Sequence, residues 1–153
     1  MTKIIDNFRG EYSFLSNFYG TSVIYNNHTY KSSEHAFAAC KATNEKDRAY
    51  ISDANTPTEA KHRGREITCR PDWDEVKITE MGMILYCKFS QNKWLQDKLC
   101  ATDDAILIEG NWWKDYFWGM VKDAQGAWCG ENYLGRLLMA VRNVFVNTNK
   151  LKG

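Results

Sequence analysis

Proline is nearly missing from this chain: Pro57 and Pro71 are the only two among 153 residues. No Pro-rich, low-complexity or repeated stretch marks a linker or a solenoid, so a single domain over 1–153 is expected. Excess charge is missing as well. Twenty Lys and Arg face 19 Asp and Glu, a net +1, which argues against a binder that relies on a broad basic surface but leaves room for local basic pockets. No apolar run approaches the roughly 18 residues of a membrane span. The apolar stretch before Asp6 is too short for a signal peptide, so a cytoplasmic setting without a membrane partner is the expectation. The five cysteines (Cys40, Cys69, Cys87, Cys100, Cys129) are odd in number and contain no C-x-x-C pair. That excludes a disulfide framework and a cysteine zinc site, and mostly buried thiols are expected. The scattered glycines form no G-x-G-x-x-G, P-loop or G-x-S-x-G pattern, and His28, His35 and His62 have no metal-ligand spacing. Dinucleotide oxidoreductases, P-loop NTPases and zinc hydrolases are set aside on these grounds.

What remains is a globular composition, 44% hydrophobic and 25% charged, with an aromatic share of 14% concentrated between Trp112 and Trp128. Core packing uses such rings, and so does a site for a planar heterocycle. Strands are expected over 12–18, 22–25 and 28–30, the last two joined at Asn26–Asn27, a pair that tolerates positive φ. From there the signals are helical. Ser32 or Ser33 can cap a helix to about Thr43, and a second helix is expected over 44–53. Thr56, Pro57 and Glu59 form a capping box with proline at the first position, and Asp72 repeats that logic ahead of a long helix to about Phe89. A short helix over 94–101 and a strand over 105–109 follow. Leu134, Leu137, Leu138, Val141 and Phe145 then trace one buried helix face. The expected fold is mainly α with a small N-terminal β element.

Three constellations can carry chemistry. Glu34 and Lys41 lie seven apart on one expected helix with Phe37 between them, and a carboxylate at a helix N-terminus is favoured as the anion. Lys61 and Arg65, four apart with Gly64 between, can hold a phosphate, with Lys77 as a third positive group. Glu109 ends an apolar run ahead of the aromatic loop from Asp115 to Gly119, where apolar surroundings would raise a carboxyl pKa towards acid or base work. Each also has a plain structural reading: a helix-end charge, a solvated basic face, a loop folded on the core and capped by Asp115. Together they supply carboxylates, phosphate-sized cations and stacking rings, a set suited to binding or hydrolysing a nucleotide-like N-glycoside.

Several ordered segments make the chain resemble the NADAR domain family, with its YbiA-like riboflavin-intermediate N-glycosidases. They are Phe14-Leu15-Ser16-Asn17-Phe18, Ser32-Ser33-Glu34-His35-Ala36-Phe37 with Lys41, Ala60-Lys61 with Gly64-Arg65, and Arg70-Pro71-Asp72-Trp73 with Lys77. Lys88-Phe89, Asp115-Tyr116-Phe117-Trp118-Gly119 and Gly130 to Gly135 continue the match, which runs from about 12 to 143. The resemblance implies a single multihelical YbiA-like domain that cleaves an N-glycosidic bond. It also implies one of two substrates: a phosphorylated ribosyl-aminopyrimidine, releasing ribose 5-phosphate, or ADP-ribosylated guanine in DNA. No metal or redox cofactor is expected.

On this resemblance Glu34 stabilises an oxocarbenium-like sugar or activates water. Lys61, Arg65 and Lys77 hold phosphate oxygens, while Trp118 and Trp73 stack on or border the base, beside Glu109 and Gly119. Asp115 donates to the departing base or orients sugar hydroxyls, Asn132 lends an amide, and Lys41 is the alternative nucleophile if desolvation lowers its pKa. Arg63, Arg65, Arg70, Lys77 and Lys88 are candidates to line a longer anionic ligand, with Trp112 and Trp113 stacking a second base. A non-catalytic ADP-ribose or NAD module would keep the phosphate and stacking residues without needing the carboxylate.

Overall fold

Helices in this chain begin where a side chain accepts one of the first unpaired N–H groups. In the computed structural model, which describes residues 1–153, Ser32 caps α1 (Ser33–Ala39), Asn44 caps α2 (Glu45–Ser52) and Thr56 caps α3 (Pro57–Glu66). Glu59 completes the box at α3 by accepting the N–H of Asn55 at 2.8 Å, one residue outside the usual partner. The cap expected at Asp72 is absent from α4 (Trp73–Ser90). Both its carboxylate oxygens are taken by Arg70, at 2.6 and 2.9 Å. Asn92 caps α5 (Lys93–Cys100), and α6 (Tyr133–Lys152) follows Asn132, whose backbone is left-handed at φ 53°. About half the chain is helical, so the fold is mainly α.

Six short strands complete it: β1 (Ile4–Ile5), β2 (Gly20–Tyr25), β3 (His28–Ser32), β4 (Ile106–Leu107), β5 (Val121–Lys122) and β6 (Trp128–Cys129). They pair as parallel β1–β4 and antiparallel β2–β3 and β5–β6. The expected hairpin is β2–β3, turning at Asn26 and Asn27 with φ of 50° and 66°. The strand expected over 12–18 is instead a 3₁₀ helix, Gly10–Leu15. Phe14 and Leu15 are consecutive and both buried, which an alternating strand cannot achieve. The strand expected over 105–109 shortens to β4, and α1 stops at Ala39 because Lys41 and Ala42 bond back three residues in turns.

The chain forms two compact units. The central unit, Asn17–Gln91, packs the hairpin with α1 to α4. Every residue of α1 is buried. Gly64 on α3 lets that helix approach, since a Cβ there would lie 3.2 Å from the Ala38 Cβ. Gly64 therefore serves helix packing. The terminal unit, Met1–Ser16 with Asn92–Gly153, packs α6 with α5 and β4. Leu134, Leu138, Val141 and Phe145 are buried along α6 as the periodicity predicts, and Leu137 is half-buried. None of the five cysteines is fully buried, contrary to expectation. Cys69 and Cys129 are exposed, outside the helices, and the other three are half-buried. No helix is long and apolar enough to cross a membrane.

Candidate active site

Glu34 is the second residue of α1, so the helix N-terminus favours its carboxylate. Only 9% of it is exposed. Lys41 lies past the end of α1 rather than on a shared helical face, in the turn that follows Cys40. The two still meet electrostatically. Burial pushes the Lys41 ammonium below its ordinary value; Glu34 and then Cys69 oppose that, while Arg65 and Lys61 add to it. Its Nζ sits 5.9 Å from the centre of the Trp73 ring, which lies 5.0 Å from that of Phe37. Lys61 stands 5.9 Å from the Phe18 ring. The central unit thus gathers Glu34, Lys41, Lys61, Arg65 and Trp73: one buried carboxylate, three cations and a flanking indole.

The other candidate cations pair with neighbouring carboxylates or are buried. Lys77 bonds Asp74 at 3.0 Å, and Arg63 bonds Glu59 and the Tyr50 carbonyl, both at 2.7 Å. Arg70 is held by Asp72. Lys88 is 1% exposed, 5.6 Å from the Tyr19 ring and 5.2 Å from that of Phe89, and desolvation pushes its pKa down to about 7. Buried in this way, it is not a surface cation lining a long anionic ligand. A cleft of about 310 Å³ in the same unit is walled by Tyr25, Tyr30, Cys40, Arg48, Arg70 and Glu80 among others, and of the residues weighed for a ligand only Arg70 lines it.

Glu109, Asp115, Trp118, Gly119 and Asn132 lie in the terminal unit. Here the geometry gives several of them structural work. Asp115 accepts the N–H groups of Phe117 and Trp118 through Oδ1, at 3.1 and 2.9 Å, which is the loop cap that the plain reading describes. Asn132, 6% exposed, accepts the Glu109 N–H at 3.0 Å and donates to the Leu107 carbonyl at 2.9 Å. Its amide is thereby spent on fixing the backbone at Glu109. Gly119 packs against the same residue, since a Cβ there would fall 2.1 Å from the Glu109 carbonyl oxygen. Trp118, Phe117 and Tyr133 form an aromatic group with ring centres 4.7 to 6.5 Å apart.

Two buried asparagines escaped the sequence reading. Asn17 accepts the Glu34 N–H through its carbonyl at 3.1 Å and the Ser33 hydroxyl through Oδ1 at 2.9 Å. Asn111 brackets Asp115, accepting its N–H at 3.0 Å and donating to its carbonyl at 2.9 Å. A buried Asn in an otherwise apolar segment, as in Phe14-Leu15-Ser16-Asn17-Phe18, is the signal that was available. No three His, Cys, Asp or Glu side chains gather as a metal-ligand set.

The central unit thus sets a buried acid at a helix start beside lysine, arginine and tryptophan. Residues 6–146 match the NADAR domain, and the chain belongs to that family. It is 35% identical over 134 residues to the N-glycosidase YbiA of Escherichia coli, an alignment covering 86% of this chain and 81% of that protein. A riboflavin biosynthesis protein of Vibrio vulnificus is 35% identical over 86% of this chain, and the alignment spans 35% of that longer protein. The chloroplastic riboflavin biosynthesis protein PYRR of Arabidopsis thaliana is 36% identical over 66% of the chain and 17% of its own length. The NMR structure of Escherichia coli YbiA superposes with a TM-score of 0.82 at 34% identity, covering 100% of this chain and 90% of that one.

Proposed function

We propose that this chain is an N-glycosidase acting on a phosphorylated ribosyl-aminopyrimidine of the kind found early in riboflavin synthesis, releasing ribose 5-phosphate. The observation that carries the reading is the buried Glu34 carboxylate in electrostatic contact with half-buried Lys41, beside Lys61 and Arg65. The names of the Vibrio and Escherichia relatives support the same chemistry.

The scissile bond joins the sugar C1′ to a ring or exocyclic nitrogen. As it breaks, its electrons leave with the nitrogen and positive charge develops on the sugar. Glu34 faces that charge and takes a proton from the water whose oxygen adds to C1′, while the departing nitrogen gains a proton. Lys61 and Arg65 hold the phosphate, the Arg as a planar fork and the Lys as a point charge. Trp73 borders the base. In a variant of this route the Lys41 amine attacks C1′ in place of water, and the resulting imine of the opened sugar is then hydrolysed. The lowering of Lys41 by burial favours a neutral amine and is the observation behind that variant.

The test is to incubate the pure protein with candidate N-glycosides and follow free base and ribose 5-phosphate by chromatography. Release of both supports the reading, and intact substrate at high enzyme concentration overturns it. Borohydride added during turnover separates the two routes: a stable sugar adduct on Lys41 marks the imine, and its absence marks direct attack by water.

A further inference from the structure

We infer that Asn17 is a positioning residue for Glu34, an inference that rests on the N-glycosidase reading. α1 has seven residues, too few to hold its shape by its own hydrogen bonds, so its first turn must be anchored from outside. One anchor is Ser32, whose Oγ accepts the His35 N–H at 3.1 Å. The other is Asn17, only 7% exposed, in the loop preceding β2. Its backbone carbonyl accepts the Glu34 N–H at 3.1 Å and lies 3.3 Å from the Ser33 Oγ. Its side-chain Oδ1 accepts the Ser33 hydroxyl at 2.9 Å, the shorter of that hydroxyl's two contacts. Its Nδ2 lies 3.4 Å from the Met81 sulfur on α4, which fixes the amide's orientation.

The backbone of the proposed catalytic acid is therefore held by a residue 17 positions away, directly through the Asn17 carbonyl and, through the Asn17 side chain, at the neighbouring Ser33. A carboxylate that must face a developing charge loses rate steeply when displaced by a fraction of an ångström. Asn132 holds Glu109 in the terminal unit by a different atom, bonding its N–H through the side-chain oxygen where Asn17 uses its backbone carbonyl. In each unit a buried asparagine secures the backbone at a candidate acid.

The experiment compares Asn17→Ala, Ser33→Ala and the double variant with wild type for kcat, KM and thermal midpoint. Because the amide and the hydroxyl act through one bond, each single variant is expected to lose between about 10- and 100-fold in kcat with KM changed less than about threefold. The double variant should be little worse than either single one. Asn17→Asp, which keeps the acceptor oxygen, should recover part of the loss. A lowered thermal midpoint with kcat within twofold of wild type would make Asn17 merely structural and overturn the proposal. A second readout does not depend on turnover: the side-chain carboxyl ¹³C resonance of Glu34 should shift in Asn17→Ala and in Ser33→Ala. If wild type cleaves no N-glycoside, the reaction reading fails, and an unmoved Glu34 resonance then removes the positioning claim as well.

Discussion

At the scale of single residues, the same helix turn holds two groups with opposite needs. In the proposed reaction Glu34 acts as the anion, which a place at a helix N-terminus favours. Glu34→Gln keeps the shape and removes the charge, so it should lower kcat by at least about 100-fold and leave KM within a few-fold, because the lost interaction belongs to the transition state. Steady-state kinetics decide it: wild-type turnover in the variant would make Glu34 structural. His35, one residue on, must stay neutral. Its Nε2 lies 2.9 Å from the Ala54 carbonyl, which can only accept, so the ring proton sits there. Its Nδ1 then accepts from the Ser32 hydroxyl at 2.7 Å. Burial pushes the imidazole below its ordinary value near 6.5, against the opposing pull of the Ala54 bond. The unfolded chain therefore takes up a proton first as pH falls below about 6.5, and the folded state loses stability until the buried ring also titrates. Thermal midpoints measured from pH 7 to pH 5 should fall, with a shallower slope in His35→Gln. Equal slopes would assign the fall to other groups.

At the scale of elements, local signals were legible and distant ones were not. The turn at Asn26–Asn27, the caps at Ser32 and Thr56, and the apolar stripe of α6 are written in neighbouring residues, and each appears where the sequence places it. Thr56→Ala removes the 3.1 Å bond to the Glu59 N–H and should cost about 1 kcal/mol by chemical denaturation, with the midpoint moving and the slope unchanged. An unchanged midpoint would mean that Pro57 and Glu59 suffice to start α3. Pairing across the chain has no such local mark. The parallel pair β1–β4 joins Ile4 to Ile106, and nothing in either dipeptide names the other. The aromatic and apolar residues of 12–18 look like a strand, yet turns ending on Arg9 and Ser13 wind that segment into a 3₁₀ helix. The candidate site was partly legible for the same reason. Residue types and spacing pointed to Glu34, Lys61 and Arg65, and the family resemblance to Trp73. The double use of Asn132, the capping by Asp115 and the departure of Lys41 from α1 depend on contacts that only the folded chain defines.

At the scale of the whole molecule the question is the size of the substrate. An ADP-ribosyl ligand carries a pyrophosphate and an adenosine, and on DNA it also needs access to an unpaired or flipped base. The net charge of +1 supplies no general surface for nucleic acid. Of the five cations that would follow a long anion, Arg63 and Arg70 are bound to Glu59 and Asp72, Lys77 to Asp74, and Lys88 is buried, while Arg65 stands with Lys61 near Lys41. Lys61 and Arg65 suffice for one phosphate. The contrary sign is on the surface: Trp112 and Trp113 are 69% and 50% exposed, with the Arg9 guanidinium 4.2 Å from the Trp112 ring centre, a platform on which a second base can stack. The balance of cations favours the smaller ligand, so ADP-ribose should inhibit cleavage of the ribosyl-aminopyrimidine no better than ribose 5-phosphate does, both at millimolar levels. Trp112→Ala should leave kcat/KM for that substrate unchanged. Micromolar inhibition by ADP-ribose, weakened at least tenfold in Trp112→Ala, would show that the second base has its own subsite. Release of ADP-ribose from a modified single-stranded oligonucleotide would reassign the substrate altogether.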